Sequence, residues 1–149
     1  MRTLATIGYQ AATMQSFLRA LGDAKIDLLV DIRAVASSRR PGFSKTALAA
    51  NLREAGIDYL HLRSLGTPAE GRAAARAGKH AVMREIFLEH MDTPAARAEL
   101  TSLAELVETR RVCVLCFEAD PAHCHRSIVA SELGELLPVR VQHLMPEDE

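Results

Sequence analysis

Two rhythms of apolar and polar residues run along this chain, and their order predicts its elements. Short unbroken apolar runs mark strands, while apolar residues spaced by three and four mark helices. Leu4 to Gly8 (LATIG) is the first run and ends in glycine. Thr13 then stands as a cap before Phe17, Leu18 and Leu21, which share one helix face, with Gly22 at the end. Ile26 to Arg33 (IDLLVDIR) is the second strand. Its Leu28, Leu29, Val30 centre does not alternate, as expected of a strand covered on both faces. Ser44 caps a helix carrying Leu48, Leu52 and Ala55, closed by Gly56. Ile57 to Leu62 (IDYLHL) is the third strand.

From Arg63 to Gly78 the rhythm dissolves. RSLGTPAEGRAAARAG holds three glycines, one proline and three arginines. It reads as a mobile loop around a short alanine-rich helix, and loops of that length are usually functional or disordered. A lid over a site is the expected role. Val82, Met83, Ile86, Phe87 and Met91 restore helical spacing. Thr93-Pro94 then opens a helix with Leu100, Leu103, Leu106 and Val107 inside. Val112 to Phe117 is the fourth strand, Pro121 to Leu137 a helix capped by Asp120, and Val139 to Leu144 the last strand. The acidic end, Pro146 to Glu149, is expected to fray. Strands alternating with helices predict a single three-layer α/β/α domain over residues 1–149, with a mostly parallel sheet of about five strands.

Composition narrows this further. A chain of 149 residues that is 48% apolar can bury one sizeable core. No apolar run is long enough to span a membrane, and no secretory pattern opens the chain. Three cysteines do not suggest a disulfide framework, and a reducing cytoplasmic setting is expected. The net charge of −1 conceals an asymmetry. Between Arg33 and Lys79 nine basic residues face three acidic ones, and elsewhere nine face sixteen. That fits either an anion held by the basic middle or a solvated arginine-rich surface.

The densest chemistry lies in Val112 to Arg126 (VCVLCFEADPAHCHR), where a strand turns into a helix start. In open α/β sheets ligands bind beyond the carboxyl ends of the strands. Phasing the helix at about 100° per residue turns Cys124, Ile128, Val129, Leu133 and Leu136 inward, with His125 near them. His123, Arg126 and Ser127 point elsewhere, and Cys124 reads as a packed thiol. A cysteine-phosphatase loop needs an arginine at a fixed offset, where this chain has Ala122 and Ala130. A zinc set drawn from Cys116, His123, Cys124 and His125 would use adjacent ligands, and neither CxxC nor HExxH is present. No metal ligand is assigned on that arithmetic. Glu118 and His125 qualify as general acid or base.

The exit of the second strand is the other centre. Asp31 and Arg33 share a face by alternation, and a buried aspartate requires a partner. Arg33 either clamps Asp31 or presents its fork to an anion. Ser37, Ser38, Arg39 and Arg40 suit a phosphate. Phe43, beside Pro41-Gly42, reads as a loop anchor rather than a base-stacking ring. Gly8 permits close backbone approach, with Tyr9 beside it. His61 ends the third strand as a lesser candidate. Neither GxGxxG nor GxxxxGK occurs.

These landmarks carry a resemblance. TIGY at Thr6 to Tyr9, DIR at Asp31 to Arg33, SRRPGFSK at Ser38 to Lys45, GIDYLHLRSLGTP at Gly56 to Pro68 and LCFEADPAHCHRSIVA at Leu115 to Ala130 follow in order. The chain resembles the prokaryotic family known as domain of unknown function 488, although Ala36 stands where that pattern often has proline. The resemblance implies a three-layer α/β domain and no settled activity. The polar positions it marks are Asp31, Arg33, Ser38, Arg39, Glu118, Cys124, His125 and Arg126.

The expectation is an enzyme or ligand-binding domain for a phosphate-bearing substrate, a nucleotide or nucleic acid. Arg33, Ser38, Arg39 and Arg126 would hold the anion beside a helix N-terminus. Glu118, His125 or Asp31 would move protons, with Gly8, Tyr9, Phe43, His61, Cys116 and Cys124 in support. Two alternatives stand: a nucleic-acid or protein interaction module without catalysis, and a thiol or metal sensor built on Cys116 and Cys124. The sequence specifies no cofactor, no membrane partner and no oligomeric state.

Overall fold

Five strands run in the same direction in a computed structural model of the chain, which describes residues 2–146. They are β1 (Arg2–Gly8), β2 (Leu28–Asp31), β3 (Asp58–His61), β4 (Val112–Cys116) and β5 (Val139–Leu144). The sheet order is β3-β2-β4-β1-β5, and every pairing is parallel. The expected three-layer α/β fold is therefore present.

Alternation along the strands divides the core in two. Ala5, Ile7, Leu29, Cys113 and Leu115 meet α1 (Met14–Asp23) and α2 (Lys45–Glu54) through Phe17, Leu21, Leu48 and Leu52. Leu4, Leu28, Val30, Val112 and Val114 face the opposite layer. That layer comprises α3 (Ala69–Arg76), α4 (His80–Met91), α5 (Pro94–Thr109) and α6 (His125–Leu136). Each large apolar side chain buried there contributes about 1.5–3 kcal/mol.

The helix starts follow local chemistry. Thr13 and Ser16 cap α1 reciprocally, and Thr93 Oγ1 accepts from the Ala96 amide at the start of α5. Ser44 stands at the N-cap of α2 without capping it, because its hydroxyl bonds both the amide and the carbonyl of Ser38. Asp120 caps a separate 3-10 turn, Pro121–His123, rather than α6. The chain is extended at Cys124, so the long helix begins only at His125.

The predicted phase holds for Cys124, His125, Ile128, Val129 and Leu133, all of which are buried. Arg126 is also fully buried, however, and Leu136 is 47% exposed, the reverse of the orientation expected for those two. The segment 63–78 holds the short alanine-rich helix expected there, α3, preceded by a 3-10 turn, Arg63–Leu65. A Cβ at Gly66 would overlap the backbone of Ala34, so the turn lies directly on the loop after β2. Among the described residues no helix is long and apolar enough to cross a membrane. Of the tail expected to fray, Glu147 to Glu149 lie outside the described residues.

Neighbouring strands β2 and β4 send their connections in opposite directions, toward β3 and β5 respectively. A crevice opens beyond the carboxyl ends at such a switch point.

Candidate functional site

The loop leaving β2 is tied by charge. Asp31 is fully buried, and Arg33 Nε and Nη2 donate to its two carboxylate oxygens at 2.9 and 2.7 Å. Tyr59 donates its hydroxyl to the same carboxylate at 2.6 Å. Arg33 Nη1 donates to the Phe43 carbonyl at 2.8 Å and the Tyr9 hydroxyl at 3.2 Å. Burial alone would lower the pKa of Arg33, but hydrogen bonding to Asp31 and its charge outweigh burial and raise it. Burial and the Asp31 bond likewise raise the Tyr59 phenol. Of the two roles open to Arg33, the clamp is the one formed. Phe43 is the anchor expected, stacked on Tyr9 with centroids 4.6 Å apart. His61 Nε2 donates to the Arg33 carbonyl at 2.7 Å and braces the same loop.

The turn after β4 is held by Arg126. Its Nε donates to Thr6 Oγ1 at 3.1 Å, and Nη2 to the Ala119 carbonyl at 3.1 Å. Nη1 reaches the Glu118 carbonyl and lies 3.1 Å from Cys116 Sγ. Burial lowers its pKa, and among the described residues no carboxylate pairs with it. A Cβ at Gly8 would overlap the Glu118 carbonyl and sit 2.7 Å from Arg126 Nη1, so only glycine fits there.

His125 Nε2 lies 2.7 Å from the Ile32 carbonyl. A carbonyl only accepts, so Nε2 carries the proton and Nδ1 keeps a lone pair. Burial pushes the His125 pKa down to about 4. Burial also raises the Glu118 carboxyl above its ordinary value. The odd cysteine count argued against a disulfide, yet the sulfurs of Cys116 and Cys124 meet at bonding distance. They come from the end of β4 and the start of α6, a proximity that sequence spacing does not reveal. Cys113 is free and buried.

Between the two tied loops lies a cavity of about 510 Å³. Tyr9, Gln10 and Phe117 form one side, Arg33 to Val35 and Ser37 another, and Thr67, Arg72, Ala75 and Arg76 a third. His80, Met83, Glu118, Asp120, His123 and His125 complete it. The His80 and His123 rings stack at 4.2 Å, and His80 Nδ1 is buried without a partner.

A protein-family model described as "Domain of unknown function DUF488" matches residues 13–133. The chain belongs to that family. No curated protein and no solved structure matches it. In this DUF488 domain the predicted residues separate into three groups. Tyr9, Arg33, Glu118 and His125 line the cavity. Asp31, Phe43, His61, Gly8, Cys116, Cys124 and Arg126 lie behind it as its frame. Ser38 and Arg39 are outside the cavity lining, and Ser38 Oγ accepts the Arg40 amide. The arginines of α3, together with His80, were not picked out individually from sequence. The spacing of Arg72 and Arg76 on one helix face was their only signal.

Proposed function

We propose that this DUF488 domain binds a phosphate-bearing organic anion of mononucleotide size in the crevice between the β2 and β4 loops. Support comes first from Arg72 and Arg76, which share a face of α3 and both line the cavity. Among the described residues neither forms an ion pair, and Arg72 has a single hydrogen bond, from Nη1 to the Thr67 carbonyl at 2.9 Å. Guanidinium forks with free donors suit phosphate oxygens. The buried, unpartnered Nδ1 of His80 adds one more polar atom beside them. Tyr9, Val35, Met83 and Phe117 offer apolar area for the organic part. The volume falls within the usual range for small-ligand sites, about 300–1,000 Å³.

A melting-temperature screen tests this reading with inorganic phosphate, mononucleotides and a single-stranded oligonucleotide. A mononucleotide should raise the wild-type Tm by mass action. The Arg72→Ala/Arg76→Ala double variant should fold and show no rise. Stabilisation by the oligonucleotide alone, falling steeply with salt, would favour a nucleic-acid surface instead. No shift with any of the anions would reject the reading.

A further inference from the structure

Cys116, Cys124 and His125 occupy one buried point where β4 ends and α6 begins. Their three ligand atoms, two sulfurs and an imidazole nitrogen, all lie within 4.8 Å of one another. Three features make this more than coincidence. Nε2 of His125 donates to the Ile32 carbonyl, which leaves Nδ1 as the lone pair, 3.7 Å from Cys124 Sγ. Fixing the tautomer of a histidine through its second nitrogen is the usual arrangement behind a metal-bound imidazole. The buried Arg126 has no carboxylate partner among the described residues and places Nη1 3.1 Å from Cys116 Sγ. A guanidinium there favours a thiolate over a thiol. Lastly, the Cα atoms of the two cysteines are 7.2 Å apart. That exceeds the span of about 4.4–6.8 Å usual for disulfides. Two thiolates that share an ion through bonds of about 2.3 Å each reach further than two sulfurs joined directly.

We propose that, with both cysteines reduced, Cys116 Sγ, Cys124 Sγ and His125 Nδ1 bind one zinc-class divalent ion. Thiolate and imidazole ligands suit zinc among the divalent metals. Three protein ligands leave a fourth position for water or a ligand, and His125 itself lines the crevice. Reduction of a joined pair by a dithiol converts the S–S bond into two thiols, and the reductant becomes the disulfide. Each thiol that then ligates the ion as thiolate releases one proton.

The test uses the full chain, reduced and kept anaerobic, titrated with cobalt(II). The expected result is about one ion per chain, a thiolate-to-cobalt charge-transfer absorption, and its loss when zinc displaces cobalt. Cys116→Ser and Cys124→Ser should each abolish that absorption, and Cys113→Ser should keep it. Should the first two variants fail to fold, the wild-type spectrum decides alone, because only sulfur ligation produces that band. A folded, fully reduced protein that shows no such band overturns the proposal. So would a band that survives both serine variants.

Discussion

Arg33 and Arg126 are buried with their nitrogens bonded to the protein, whereas Arg72 and Arg76 stand on the rim of the crevice with no ion pair among the described residues. The difference follows from solvation. A guanidinium taken out of water must find its partners inside the fold, so nothing remains for a ligand. A guanidinium at the rim keeps its donors in water until an anion displaces that water. The arginines most conspicuous in the sequence, those in DIR and CHR, therefore build the walls. Those in an unremarkable alanine-rich stretch face the contents.

The sharpest way to break this comparison is to remove the partner of a buried arginine. Asp31→Ala strands the Arg33 charge and one Tyr59 hydroxyl, and should lower stability by about 3–5 kcal/mol in denaturant titrations. A loss below about 1 kcal/mol would place Arg33 with the rim arginines instead.

Acid offers the next lever. Burial first, then the charges of Arg126 and His90, hold His125 neutral, against the Ile32 bond and Asp31. The unfolded chain takes up a proton near pH 6.5 and the folded one near pH 4. The stability contributed by the neutral ring is thus whole above the first value and is lost as pH falls toward the second. For the metal-free protein this should amount to about 3 kcal/mol, measured as melts across that window. His125→Asn should flatten the dependence. Gly8→Ala comes third, with about 1–3 kcal/mol from overlap with the Glu118 carbonyl. The smallest effect is expected at the rim. Arg72→Ala and Arg76→Ala should each change stability by less than about 0.5 kcal/mol, while anion-induced shifts in Tm disappear.

The sequence displayed strands and helices well because strands covered on both faces read as unbroken apolar runs and helices as period-3.6 patterns, as Leu28 to Val30 and Leu100 to Val107 illustrate. Thr13, Thr93 and Phe43 were legible because capping and anchoring are local. The orientation of Arg126 was not, since its partners are Thr6, more than a hundred residues away, and the carbonyls of Glu118 and Ala119 in the turn before α6. The compact state of 63–78 rests on Gly66 lying against Ala34, a contact between separate loops. The meeting of Cys116 with Cys124 likewise depends on how a strand end and a helix start are set against each other.

The position of β4 has a consequence for how the chain acquires its structure. It lies between β1 and β2, yet it comes after both, nearly at the end of the sequence. As the polypeptide emerges from the ribosome, β1 and β2 have no partner on their facing edges until residue 116 has been made. Those bare edges are open to pairing with other chains, and the pairings that close them span long sequence separations, which slows folding. Truncation before Val112 would remove β5 along with β4 and leave β1 unpaired, with nothing to join it to the β2–β3 pair. The crevice, with a wall from either side of that gap, can form only when the last third of the chain arrives.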